Sequence, residues 1–447
     1  MAGPTARARW FAVVLAVTVT AYVLCPVATS TDSRWTLYLA MSLLREKDVD
    51  LDEYAHLMED GDFRVVYHDG HIYSYFPVAA PLLVVPYVWV VDRVFPWRFP
   101  TDLAGYLLVH FPDSRVSRLE QIAAAIVAAC AAGIVYLVVS SRLDTRRALL
   151  LTFVFAFGTS MFSTASRALW QHGLSVLCLS AALWILLRPE HSGSRLLMAG
   201  ALLGISFVVR PTNSISIFIL TIYVLLNRRD RLVPYSAGLL IPIALLILYS
   251  LRVYGDPLPA YYQPQRLGTN TEFLSAALGN LVSPNRGLFV SSPILILAVA
   301  GAYSQFRNGQ MSLGHPAPFL AAILVGHWIA ISTFDNWYGG WSLGPRLFTD
   351  VLPYFIYFLI PVLQAARLSS LGQLRAAFGA LLMLSSLVHF RYATSIYPFL
   401  WNAKPVAIAD APERVWDVLD LQVLRGFCAD KLEGRAPACW LGVGAAR

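Results

Sequence analysis

Asp32 is the acid best placed to do chemistry in this chain. It follows the first apolar run, in Thr31-Asp32-Ser33-Arg34-Trp35, and opens a long polar loop. A carboxylate at such an edge can take the proton from a hydroxyl nucleophile. The plainer alternative is a helix cap or a solvated loop acid. Four arginines stand at the ends of later apolar runs: Arg167, Arg210 (in Arg210-Pro211-Thr212-Asn213), Arg286 (in Ser283-Pro284-Asn285-Arg286-Gly287) and Arg346 (in Gly344-Pro345-Arg346). A guanidinium pairs bidentately with phosphate oxygens, so these are the expected phosphate ligands. For any single one, snorkelling or a salt bridge to Asp335, Asp350 or the first-loop acids competes with that role.

Other polar groups cluster in the same loops. Gln171 and His172 can meet a sugar or a phosphate, or can cap and pack a helix. Trp337, Tyr338 and Trp341, interleaved with Gly339 and Gly340, offer flat faces for a sugar ring. Interfacial aromatic belts use the same residue types. His68, Asp69 and His71 lack a clear third protein ligand, so no metal site is assigned. His71 is kept as a substrate contact, and a divalent ion is left open as a cofactor. Asp48-Val49-Asp50 reads as a solvated acidic turn.

These residues need a scaffold, and composition says which kind. The 447 residues are 57% hydrophobic and 14% charged, and the mean hydropathy is +0.58. Soluble domains carry about 25% charged residues. Apolar runs at 10–30, 119–140, 147–165, 173–188, 196–210, 213–227, 232–252, 288–304, 317–334, 347–365 and 372–390 predict about eleven transmembrane helices. The first is expected to be an uncleaved span, because Asp32 follows at once and no Ala-x-Ala site precedes it. The chain divides into a membrane domain over 1–390, with a first outer loop at 31–118, and a tail at 391–447.

Residues 76–97 are apolar enough to cross, but Pro77, Pro81, Pro86 and Pro96 interrupt them. Charge decides between crossing and not crossing. Without a crossing, Arg7, Arg9, Arg142, Arg146, Arg147, Arg188, Arg195, Arg228, Arg229, Arg231, Arg307, Arg367 and Arg375 share the N-terminal side, as cytoplasmic loops should. Residues 76–97 are therefore expected as a re-entrant or interfacial segment on the outer face. Asp32 and every polar motif named above then share that face. The net charge of +7 is loop charge of this kind and implies no nucleic-acid partner. The chain has no Walker A motif and no Gly-x-Gly-x-x-Gly before a strand–helix unit.

Local patterns predict smaller elements. Asp69-Gly70 between β-prone runs predicts a hairpin over 64–76 with His68 facing His71. Residues 35–54 are amphipathic and predict an interfacial helix. Residues 411–419 predict an amphipathic helix beginning near Pro412. Cys25, Cys130 and Cys178 fit as small core residues. A disulfide between Cys428 and Cys439 is left open.

Asp32 in Asp-Ser-Arg-Trp, followed by Tyr73-Ser74-Tyr75-Phe76-Pro77 ahead of the next span, resembles the GT-C superfamily. These are integral-membrane glycosyltransferases that use polyprenyl-phosphate sugars, such as protein mannosyltransferases and aminoarabinose transferases. Phe76-Pro77-Val78-Ala79-Ala80-Pro81-Leu82 stands where bacterial relatives often show Tyr-Pro-Pro-Gly or His-Pro-Pro-Leu. Ser33 follows Asp32 where protein mannosyltransferases pair Asp with Glu, so protein mannosylation is not the default expectation. The resemblance implies an all-α polytopic fold with outer-face interfacial helices. It also implies Asp32 as the base, and Arg286 or Arg346 on the lipid phosphate. The implied donor is a polyprenyl-phosphate sugar. The acceptor hydroxyl sits on a lipid, glycan or protein, and membrane lipids surround the protein. An inner-membrane location with an extracytoplasmic site is the matching expectation. A lipid-linked-sugar flippase, and a ligase or polymerase using a lipid-pyrophosphate donor, are the competing readings. Ionisable groups near the midplane would favour transport, whereas here the polar motifs gather at one edge.

Overall fold

The computed structural model describes residues 3–28, 32–111, 113–190, 192–263, 268, 270–368 and 372–427. Cys428 and Cys439 lie outside them. The described residues are helical apart from one hairpin. The helices are α1 (Pro4–Leu24), α2 (Thr36–Arg45), α3 (Ala79–Val94), α4 (Leu103–Leu107), α5 (Ser114–Ser140), α6 (Thr145–Phe157), α7 (Gln171–Leu186), α8 (Gly193–Val209) and α9 (Ser214–Asn227). They continue with α10 (Leu232–Tyr254), α11 (Phe273–Val282), α12 (Leu288–Ser291), α13 (Ile296–Arg307), α14 (Ala317–Ser332), α15 (Leu352–Leu368), α16 (Gly372–Thr394) and α17 (Tyr397–Leu400). Each of the predicted apolar runs holds a helix. Six helical units are long and apolar enough to cross a membrane. Five coincide with predicted spans, and the sixth is Ala79–Trp97.

Small residues let the bundle close. On α5, Ala124, Ala125, Ala128, Ala129, Ala131 and Ala132 are buried, and α1 and α7 both pack on this helix. At the α8–α10 crossing, a Cβ on Gly200 would stand 2.0 Å from the Tyr235 carbonyl oxygen, and one on Gly238 would stand 2.0 Å from that of Leu197. Only a glycine on each side permits this backbone approach, the small-residue packing of membrane helices. Several helices begin on a polar cap. Asp113 accepts from the Arg115 amide, Asp144 from the Arg147 amide and Ser192 from the Arg195 amide, satisfying donors that a helix start leaves open.

The first outer loop forms its own core. Trp35, Leu37, Tyr38, Leu39, Met41, Leu51 and Tyr54 pack with Val84, Val88 and Val91 of α3 and with Leu103 and Leu107 of α4. Thr36 through Ser42 are all buried. Within the stretch 35–54, α2 therefore lies packed under α3. α3 takes the surface position. Its Leu82, Leu83, Trp89 and Val90 are exposed while its other face is buried. Near its start, Ala79 and Ala80 pack on Leu174 of α7 and Val209 of α8. Near its end, Arg45 of α2 bonds Asp92 at 2.6 Å and Asp102 at 3.1 Å. Both ends are thus held by neighbours around the first loop. The segment is a continuous helix through Pro86.

β1 (Val65–His68) and β2 (His71–Ser74) pair antiparallel with His68 opposite His71, as predicted. Asp69 and Gly70 both take positive φ, 48° and 85°, the geometry a two-residue hairpin turn requires. The tail prediction needs correction. Pro412–Trp416 is one short 3-10 turn, and the described part of the tail packs back onto the bundle. Trp401, Ile408 and Val415 share a core with Ala276, Trp337 and Tyr338.

Candidate active site

The loop after α1 brings Asp32 to the loop between α14 and α15. An Arg346 Nη lies 3.5 Å from an Asp32 carboxylate oxygen, and their side chains remain 16% and 24% exposed. The pair is therefore reachable from outside, although 314 residues separate its members. Arg346 lies over the Trp170 ring, 4.5 Å from guanidinium carbon to ring centre. Three polar atoms here are buried without a partner among the described residues: Arg346 Nε, Trp170 Nε1 and Ser342 Oγ. Buried donors are seldom left unpaired. Gly339, Gly340 and Gly344 have φ of 80°, 60° and 56°, a conformation side chains rarely adopt. These turns fold the loop so that Arg346 returns to Asp32.

Asp32 is anchored from behind. Glu120 of α5 accepts from Ser33 Oγ at 2.5 Å and from the Leu169 amide at 2.9 Å. One buried carboxylate thereby joins the Asp32 loop to the loop carrying Trp170.

A second charged group lies deeper. Arg210 Nε is 2.9 Å from Asp350 and also donates to Thr212 Oγ1 at 3.0 Å. His172 Nδ1 lies 3.2 Å from both Asp350 oxygens. Arg346 is within electrostatic reach of both Arg210 and His172. Gln171 is buried beside His172. Asp32, Arg346, Arg210, His172 and Gln171 therefore come together at one end of the bundle.

The other predicted residues go elsewhere. Arg286 is 1% exposed. Its Nε donates to Tyr338 O. One Nη reaches Asn285 O and Gln422 Oε1, and the other reaches Gly340 O and Asn402 Oδ1. A guanidinium has five N–H groups, so none is left for a phosphate. Burial lowers its pKa to about 10, which still keeps it charged. Arg167 is likewise fully buried. It donates to Ser166 Oγ, Cys25 O and Tyr22 O. The two carbonyls lie at the C-terminal end of α1, where a cation is favoured. Burial brings its pKa down to about 10. Both arginines hold the protein together.

Trp337 and Tyr338 are buried under the tail. A Cβ on Gly279 would stand 2.3 Å from the Trp337 ring, so the flat face expected for a sugar is covered. Trp341 is the exposed aromatic of that loop, at 44%. His71 sits on the hairpin, 2.6 Å from Asp52, with no contact to Asp32. The grouping His68-Asp69-His71 is replaced by Asp50, Asp52 and His71, whose ligand atoms lie within 4.8 Å of one another. Two carboxylates and an imidazole suit a divalent ion, but one Asp52 oxygen already accepts from the Ile72 amide.

The sequence profile of the dolichyl-phosphate-mannose-protein mannosyltransferase family matches residues 113–253, and no curated protein sequence matches the chain. An oligosaccharyltransferase from Archaeoglobus fulgidus, solved with a tethered acceptor peptide, superposes with a TM-score of 0.55 at 13% identity, covering 91% of this chain. This chain spans 59% of that protein. ArnT from Cupriavidus metallidurans, solved with undecaprenyl phosphate, gives a TM-score of 0.48 at 13% identity, covering 92% of this chain and 73% of its own. The chain thus shares the fold of that oligosaccharyltransferase.

Within this fold, two residues do more than the sequence assigns them: Asp350 is expected there only as a salt-bridge partner for the arginines, and Trp170 is given no role. Asp350 is buried in Leu347-Phe348-Thr349-Asp350-Val351-Leu352 and holds Arg210 and His172 together. Its signal is a lone acid in an apolar run, which calls for a functional reason. Trp170 supplies the ring beneath Arg346 and carries no such signal, because apolar surroundings suit a tryptophan in any role.

Proposed function

We propose that this GT-C protein transfers a sugar from a polyprenyl-phosphate donor to an acceptor hydroxyl, inverting the anomeric carbon, at the membrane face opposite its N-terminus. The observation that carries this reading is the Asp32–Arg346 pair: an accessible carboxylate beside a guanidinium whose Nε has no partner among the described residues. Asp32 takes the acceptor proton as that oxygen bonds to the anomeric carbon. The bond from that carbon to the phosphate oxygen breaks, and polyprenyl phosphate leaves with the bonding electrons. Arg346, and behind it Arg210, meet the charge that develops on the leaving phosphate. His172 and Asp350 hold Arg210 in place. Trp341, the exposed one of the three aromatics expected to meet a sugar, is the sugar platform. A bacterial inner-membrane location with an extracytoplasmic site belongs to the same proposal.

One observation favours transport. Asp350, Arg210 and His172 form a buried ionisable cluster, as transport pathways do. Asp350 nevertheless lies one helical turn from Arg346, at the edge of its span, where an enzyme would use it. The deciding experiment incubates purified protein and its Asp32→Asn variant with radiolabelled polyprenyl-phosphate sugars and a membrane extract. Transfer by the wild type alone supports the enzyme and its base, and the labelled product names the acceptor. Equal transfer by both proteins rejects Asp32 as the base. If neither transfers label while the wild type moves labelled lipid across liposomes, the enzyme reading fails.

A further inference from the structure

The opposite end of the bundle carries a groove that the proposed chemistry does not use. It lies among the start of α1, the ends of α5 and α7 and the start of α8, and has a volume of about 610 Å³. The 21 residues of α1 place it about 30 Å from Asp32 at 1.5 Å per residue. Its walls combine Phe11, Leu137 and Trp184 with Arg7, Arg188 and Arg195.

Most arginines on this side have an ordinary explanation in the charge asymmetry of membrane proteins, and some are neutralised locally. Arg147 pairs with Asp144, and Arg231 with Asp230. Arg7 differs. Its Nε is buried with no partner among the described residues, and no acid among them pairs with it. Arg188 lies over the Trp184 ring, 4.1 Å from guanidinium carbon to ring centre. Arg195 shares the groove's one acid, Glu190, at 3.5 Å, but Glu190 is 85% exposed and faces water. Three cations against one solvated anion leave the groove positive. Phe11 packs closely on Gly133 of α5, where a Cβ would stand 2.7 Å from its ring, so the apolar wall is tightly fitted.

We propose that this groove binds the headgroup of one anionic phospholipid. The phosphodiester sits between Arg7 and Arg188, and an acyl chain runs over Phe11 and Leu137. A positive, apolar-walled cleft between membrane helices matches that ligand in charge and in polarity. Two guanidiniums satisfy a phosphate's oxygens better than two ammonium groups would. A lipid held here braces α1, whose far end carries Asp32.

The test is native mass spectrometry of the detergent-purified protein, titrated separately with phosphatidylglycerol and phosphatidylcholine. Phosphatidylglycerol is expected to be retained, and the Arg7→Gln/Arg188→Gln double variant to lose about tenfold in retention. The Arg228→Gln/Arg229→Gln variant removes as much charge from the same side and is expected to keep the lipid. If the double variant does not fold, Leu137→Glu carries the same expectation by putting an acid in the groove. Equal retention of phosphatidylcholine overturns the proposal, as does equal loss in the Arg228→Gln/Arg229→Gln control. Displacement of the lipid by inorganic phosphate identifies a soluble-anion site and overturns it too.

Discussion

Arg286 and Arg346 stand at the same face of the bundle, in loops that touch, and their surroundings are opposite. Around Arg286 every N–H meets a protein acceptor, and Trp401 covers the guanidinium. Around Arg346 one acid stands at 3.5 Å, and Nε has no partner among the described residues. A saturated guanidinium fastens loops. An unsaturated one at an accessible edge is a binding group. The residue type is the same in both places; the difference lies in how many acceptors the rest of the chain delivers.

The largest effect is expected at the open pair. Asp32→Asn should cut transfer about 10³-fold, the size of a lost general base, with no change in melting temperature. Since Asp32 is accessible, a strong fall in melting temperature would move it to the fastening class and break the contrast. Next comes Arg346→Ala, expected to cost about 10²-fold in kcat, as when one donor to a developing oxyanion is removed. Arg346→Lys should recover little, because an ammonium lacks the bidentate fork. Full recovery by Lys would mean that charge alone is needed.

Neighbouring residues do not distinguish the two arginines. Each follows a proline or asparagine near a glycine, at the end of an apolar run. What saturates Arg286 comes from Asn402 and Gln422, 116 and 136 residues further along, and no local pattern reports a contact at that range. The apolar runs were legible because hydropathy over a span is a local property. The hairpin was legible because Asp-Gly specifies its own turn. The burial of α2 was not, because an amphipathic stripe does not say that another helix will cover the polar side. Trp337 and Tyr338 misled for the same reason: the tail that hides them is remote in sequence.

Arg286→Ala tests the fastening side of the comparison. It strips Asn402 and Gln422 of a charged partner, and should lower stability by roughly 2 kcal/mol, as for hydrogen bonds to a charged group. Activity per folded molecule should hold. A rise in donor KM at unchanged melting temperature would return Arg286 to the phosphate site.

The smallest effect is expected at Arg167, and the reason is redundancy. Its targets are Tyr22 O and Cys25 O at the end of α1. Gln121 reaches the same two atoms at 2.8 and 2.9 Å, and Arg118 also donates to Cys25 O at 3.3 Å. When Arg167 is replaced by Gln, neither carbonyl becomes an orphan. The loss is confined to the favourable charge at a helix C-terminus, about 1 kcal/mol. A thermal-shift measurement of Arg167→Gln beside Arg167→Gln/Gln121→Ala separates the two contributions. The double variant should fall by more than the sum of the single ones, because only then do the carbonyls lose their good partners. Simple additivity would mean that these donors do not share a task. The α1 end would then be held by something other than this cluster, and Arg167 would be available for the ligand role that its burial argues against.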